Sequence, residues 1–139
     1  QIEPAKGHFD FSVVDALLAA ARERKLHLVL LWFGTWKNGA SHYVPEWVKR
    51  DPITYPRLVG REGTVRDTMS PFGAATMEAD MAAFKALMHH LRLSDAQHTV
   101  LMMQVENESM LMGAPETIPR RQHISLKARF PPISLSQCT

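Results

Sequence analysis

Thr99-Val100-Leu101-Met102-Met103-Gln104-Val105-Glu106-Asn107-Glu108-Ser109 joins a short apolar run to a polar amide and two carboxylates. The run from Thr99 to Val105 is too short for a comfortable helix and reads as a strand, with Ser94 to His98 turning the chain into it. A strand ending in polar and acidic side chains is how a barrel enzyme presents catalytic groups at the C-terminal ends of its strands. The same residues also suit a solvated loop, so the elements around them carry the decision.

Working outward, Met77, Met81, Phe84, Met88 and Leu91 recur at spacings of four, three, four and three. That period predicts a helix over 75–93 whose apolar stripe packs on a sheet. Upstream, Leu26 to Phe33 is almost continuously apolar and bounded by Gly34, which predicts a strand buried on both faces, as in parallel sheets. Before it, Val14, Leu17, Leu18 and Ala21 predict a helix over 13–25, with Arg22, Arg24 and Lys25 at its negative end and Asp10 or Ser12 as a cap. Residues 1–10 contain Pro4 and Gly7 and read as a loop. Between Gly34 and Gly73, Pro45, Pro52, Pro56 and Pro71 break any period; we read a long loop with one helical turn over 45–49. Helix, strand, loop, helix, strand is a βαβ alternation, which predicts an α/β layer fold with parallel strands whose following loops leave at one edge.

Composition narrows the functional classes. The chain has 139 residues, 45% hydrophobic and 22% charged, enough apolar material for a packed core. It is well short of the roughly 250 residues of a complete (β/α)8 barrel. No run approaches the ~18 apolar residues of a membrane span, so no membrane partner is expected. Gln1 opens the chain without Met or a leader-like segment, so the sequence reads as beginning inside a longer protein. The single cysteine, Cys138, forms no internal disulfide. Seven histidines are dispersed or, at His89 and His90, adjacent on a helix; with no His-Glu-x-x-His pattern, no metal site is expected. Neither a Gly-x-Ser-x-Gly elbow, nor a phosphate-binding loop, nor a dinucleotide glycine fingerprint occurs.

Charge is uneven along the chain. Residues 1–115 hold 12 Lys/Arg and 13 Asp/Glu, whereas 116–139 hold four Lys/Arg and only Glu116. This basic, proline-containing tail over 114–139 reads as poorly ordered, although Ile124, Leu126 and Ala128 alternate as in a short strand. Arg120, Arg121, Lys127 and Arg129 lack interleaved aromatics, so a solvated cluster is the expectation and nucleic acid is not an expected partner.

Two constellations carry chemistry. Glu106 and Glu108 point the same way if the strand runs through both and diverge if it ends at Val105. A carboxyl in a partly apolar site has a raised pKa and can act as a general acid near neutrality, as glycoside cleavage requires. The loop adds Trp36, Tyr43, Trp47 and Tyr55 among Lys37, Asn38, Ser41 and His42. Aromatic faces suit the C–H face of a pyranose, and amides and hydroxyls suit its hydroxyl groups. Trp36 and Trp47, set among polar residues, are pocket candidates, while Phe33 reads as core.

Three segments together resemble one group of enzymes: Gln1 to Phe11 (QIEPAKGHFDF), Leu31 to Gly39 (LWFGTWKNG) with Tyr43 to Val48 (YVPEWV), and Gln104 to Glu108 (QVENE). They resemble the catalytic barrel of β-galactosidases of glycoside hydrolase families 35 and 42, over about residues 1–113. The resemblance implies a partial (β/α)8 TIM barrel running from the end of the second β/α unit through the fourth strand. It implies Glu108 as acid/base, Asn107 as the contact to the sugar 2-hydroxyl, and Glu106 as its supporting neighbour. Trp36, Asn38, Tyr43 and Trp47 would be substrate contacts for a β-galactoside or related oligosaccharide, with no cofactor. In these families the nucleophile comes from strand seven, and no residue here matches it. The alternative class is a non-catalytic carbohydrate-binding or interaction module in which the glutamates only accept hydrogen bonds.

Overall fold

The structure, a computed structural model, describes residues 2–34, 43–60, 63–70 and 72–105. Its elements run α1 (Ser12–Glu23), β1 (Leu28–Trp32), α2 (Glu46–Lys49), β2 (Arg57–Val59), β3 (Val65–Met69), α3 (Ala74–Ser94) and β4 (Val100–Val105). The fold is mixed α/β, with β1 and β4 parallel and β2 and β3 antiparallel.

α1 forms because Val14, Leu18 and Ala21 fall on one side, where all three are buried. Neither Asp10 nor Ser12 caps it: Phe11 takes the N-cap position, and the Asp10 carboxylate accepts the Ser12 N–H at 2.9 Å one step earlier. Hydrogen bonds from the Ser12 hydroxyl and N–H hold the Asp10 carboxyl below its ordinary pKa. At the other end, Lys25 N–H donates to Arg22 O and Leu26 N–H to Ala21 O, at 3.0 and 2.9 Å. This is a Schellman stop, and Lys25 occupies its left-handed position at φ 55° where glycine is usual.

β1 and β4 pair in register from Val29↔Met102 to Trp32↔Val105, after an irregularity opposite Leu28. The strands end level, so the chain leaves both at one edge. α1 and α3 cover one side of this pair: Val14, Leu18, Leu87 and Leu91 form the core, with Leu28, Leu30, Trp32, Val100 and Met103 packed against it. Burial of β1 on both faces is not what forms. Val29 and Leu31, on the opposite face, are 53% and 52% exposed, because α1 and α3 both pack on the other side of the pair.

The stripe expected of α3 also differs. Met77, Met81 and Met88 face outward, and the buried residues are Thr76, Ala83, Leu87 and Leu91. The helix is apolar around much of its circumference, so two stripes one residue apart compete. The one carrying Ala79 and Ala83 lets the helix approach the sheet, leaving room for Trp32 to pack edge-on to Phe84 at 5.4 Å.

Within 34–73 the expected helical turn is α2, with Val48 and Lys49 N–H groups bonded to Pro45 O. The hairpin β2–β3 was not anticipated. It pairs Arg57↔Met69 and Val59↔Val65, and the turn closes through Gly60 N–H to Thr64 O at 2.8 Å, with Gly63 at φ 76°. Arg57 reinforces it with hydrogen bonds to the Asp67 carboxylate and main chain. Val44, Val48, Tyr55 and Met69 make a second core that packs on Ala75 and Ala79 of α3.

At the N-terminal end of the parallel pair, one carboxylate joins three elements. Asp95, the C-cap of α3, accepts the N–H groups of Thr99 and Val100 at 2.9 and 2.8 Å and the Arg22 guanidinium at 2.7 Å. Arg22 also reaches Thr99 Oγ1 and Ser94 O, at 2.9 and 3.0 Å. Burial pushes the Asp95 pKa up, but the hydrogen bonds from Val100, Arg22 and Thr99 outweigh it and hold the carboxyl far below its usual range.

Candidate functional site

A cleft of about 250 Å³ opens where β1 ends. Its floor is the last turn of the strand, Leu31 to Gly34, and one wall is the first half of α3 through Thr76, Ala79, Asp80 and Ala83. Tyr43 to Val48 and the segment at Ile2 and Glu3 complete it.

The local sequence explains the shape. Trp32 belongs to the covered face of β1, so its indole turns toward α3, where its Nε1–H donates to Asp80 Oδ1 at 3.0 Å. Directly above, Gly34 sits at φ 21°, and a Cβ there would fall inside van der Waals contact of the Asp80 carboxylate. Glycine is favoured here, since any side chain would push the Asp80 carboxylate aside and strain a positive-φ backbone. Phe33 packs on Tyr43 at 5.4 Å and 43°. Trp47 lies edge-on to Tyr55 at 5.6 Å, and its Nε1–H donates to Glu3 O at 3.1 Å. Lys6 Nζ stands 5.9 Å from both of those rings. Glu3 is itself buried, with Oε1 accepting the Gly7 N–H at 2.7 Å, which bends the N-terminal segment against the cleft.

Of the residues singled out from sequence, Tyr43 and Trp47 both line the cleft. Tyr43 is half exposed and Trp47 half buried, its other side packed on the second core. Phe33, read as core, lines the cleft instead, just past the last residue of β1, and packs there on Tyr43. Glu106, Asn107, Glu108, Trp36 and Asn38 lie outside the described residues, as does the tail over 114–139. The last described residue of β4, Val105, pairs with Trp32.

Three polar cleft residues were not anticipated: Glu3, Thr76 and Asp80. Thr76 and Asp80 do share a helical face with Ala83, Leu87 and Leu91. Their polarity made that stripe look weaker than the methionine stripe beside it, so the signal was present and outvoted.

Chemically, the cleft combines flat aromatic walls with polar residues at its edges, a mixture suited to one ring-sized polar ligand. Among the described residues no group of three His, Cys, Asp or Glu side chains could hold a metal ion. No described helix is long and apolar enough to cross a membrane. The sequence matches no protein-family model and no curated protein sequence.

Proposed function

We propose that the chain is part of a β-galactosidase-like retaining glycosidase, a (β/α)8 barrel of which it carries the end of the second β/α unit through the fourth strand. Glu108 is the acid/base: it protonates the departing glycosidic oxygen and then takes a proton from water. Asn107 holds the 2-hydroxyl, Glu106 supports the pair, and Trp36, Asn38, Tyr43 and Trp47 contact the sugar. No cofactor enters the reaction.

The observation that carries this reading is the level pairing of Trp32 with Val105. The C-terminal ends of these parallel strands therefore share one edge, and it is from such an edge that barrel enzymes work. The aromatic cleft at the same edge supports it further.

Retention needs a second carboxyl roughly 5 Å from the first, and no residue of this sequence matches that nucleophile. On this reading the 139-residue chain by itself should be inactive. Assayed on an aryl β-galactoside, it should turn over no faster than Glu108→Gln; robust turnover dependent on Glu108 would refute the partial-barrel reading.

A second reading is favoured by the aromatic and polar lining that the described residues give the cleft. In it the chain is a carbohydrate-binding module. Galactose binding that is lost in Trp47→Ala and indifferent to Glu108→Gln, with no hydrolysis in any longer form of the protein, would favour it.

A further inference from the structure

The two tryptophans of the cleft turn their polar atoms into the protein. Trp32 Nε1–H donates to Asp80 Oδ1 at 3.0 Å, and Trp47 Nε1–H donates to Glu3 O at 3.1 Å. Glu3 Oε1 accepts the Gly7 N–H at 2.7 Å, and Thr76 is buried. Between these groups the wall is built from Leu31, Val44, Pro45, Val48, Ala79 and Ala83. Among the described residues the lining therefore presents ring faces and aliphatic surface more than donors and acceptors.

Such a wall discriminates between pyranoses. A hydroxyl pressed on aliphatic surface loses its water and gains no partner, whereas a methyl group in the same place gains by burial. In a galactopyranoside, C6 continues the C–H face formed at C3, C4 and C5. A ring laid by that face on Trp47 or Tyr43 carries its C6 group along the aliphatic wall. We propose that the cleft selects a 6-deoxy-pyranoside, with a methyl at C6, over the parent hexoside. The proposal rests on the sugar-binding reading of the cleft and is independent of whether Glu108 performs hydrolysis.

The cavity, at about 250 Å³, is smaller than those that hold drug-sized ligands and fits one ring. Leu31 is the wall residue that can be changed with least effect on the fold. It is half exposed, on the face of β1 away from α1 and α3, and is not one of the strand residues packed on their shared core. Threonine suits a strand and would put a hydroxyl, both donor and acceptor, on the wall.

The test is a titration of the full chain, followed by tryptophan fluorescence, with three ligands of one ring configuration: methyl β-galactopyranoside, its 6-deoxy analogue methyl β-D-fucopyranoside, and methyl α-L-arabinopyranoside, which lacks C6 altogether. The 6-deoxy compound should bind about tenfold more tightly than the galactoside. It should also bind more tightly than the arabinoside, which has no methyl for the wall to receive. In Leu31→Thr the preference for the 6-deoxy compound over the galactoside should fall to about threefold or less.

Equal or tighter binding of the galactoside would overturn the selection while leaving the sugar-binding reading intact. An arabinoside that binds as tightly as the 6-deoxy compound would do the same, since the methyl then contributes nothing. A preference undiminished in Leu31→Thr would place the selection outside this wall and overturn the assignment. Absence of binding of all three ligands by wild type would overturn the sugar-binding reading as well. Glu108-dependent turnover by the chain alone would overturn the partial-barrel reading and leave this one standing.

Discussion

The two ends of the β1/β4 pair are built on opposite terms. At the N-terminal end, Asp95 binds two backbone N–H groups and a guanidinium, and Arg22 closes the remaining bonds to Thr99 and Ser94. At the C-terminal end, the chain crosses a carboxylate on a glycine and leaves a buried hydroxyl without a partner beside a cleft. One end holds three elements together, and the other holds space open. In (β/α)8 barrels, the fold proposed above, a similar division separates the face that carries stability from the face that carries chemistry.

The largest test of that contrast is Asp95→Ala. It strands the part-buried Arg22 and two backbone donors, so unfolding in urea should show a loss of about 3 kcal/mol. Acid should reproduce the effect in the intact protein. Because the folded-state pKa of Asp95 is depressed, its contribution is complete above the unfolded carboxyl value of about 4 and drains away as pH falls from there toward the folded value. Asp95→Asn should therefore show a flatter loss of stability below about pH 4 than wild type; an equally steep loss would remove Asp95 as the cause.

At the other end, Trp32→Phe keeps an aromatic ring but removes part of the indole and its Nε1–H bond to Asp80, which should cost about 1–2 kcal/mol and alter the cleft more than the fold. Amide exchange would locate the change; protection lost at Thr99 and Val100 rather than around Gly34 would contradict the separation of the two ends. The smallest effect is a gain. Lys25→Gly relieves a left-handed residue in the Schellman stop and should stabilise by about 0.5–1 kcal/mol, again read from urea unfolding.

Much of this architecture is legible in sequence, for reasons that differ by element. α1 and α3 announce themselves by period, and the parallel pairing of β1 with β4 follows from a helical crossover between two short apolar runs. The hairpin β2–β3 escaped because Arg66 and Asp67 interrupt its alternation and the dense prolines around it suggest loop. Yet Val59 and Val65, flanking Gly60 and Gly63, were a readable turn signal. In the cleft, Tyr43 and Trp47 were found because aromatics among polar residues stand out. Glu3 escaped for a different reason: its place in the site depends on a bend of the N-terminal segment, made by its own bond to Gly7 and the bond from Trp47.

Sequence alone determined the order of α1, β1, α2, α3 and β4, the parallel βαβ crossover and the edge at which its strands end, because these depend on local period and chain connectivity. Tertiary structure alone decided which side of α3 is buried, that one face of β1 stays bare, and that Thr76 and Asp80 line a cleft. Those choices turn on competition between nearly equal apolar faces, which is settled by how closely helix and sheet can approach and not by any residue's own preference.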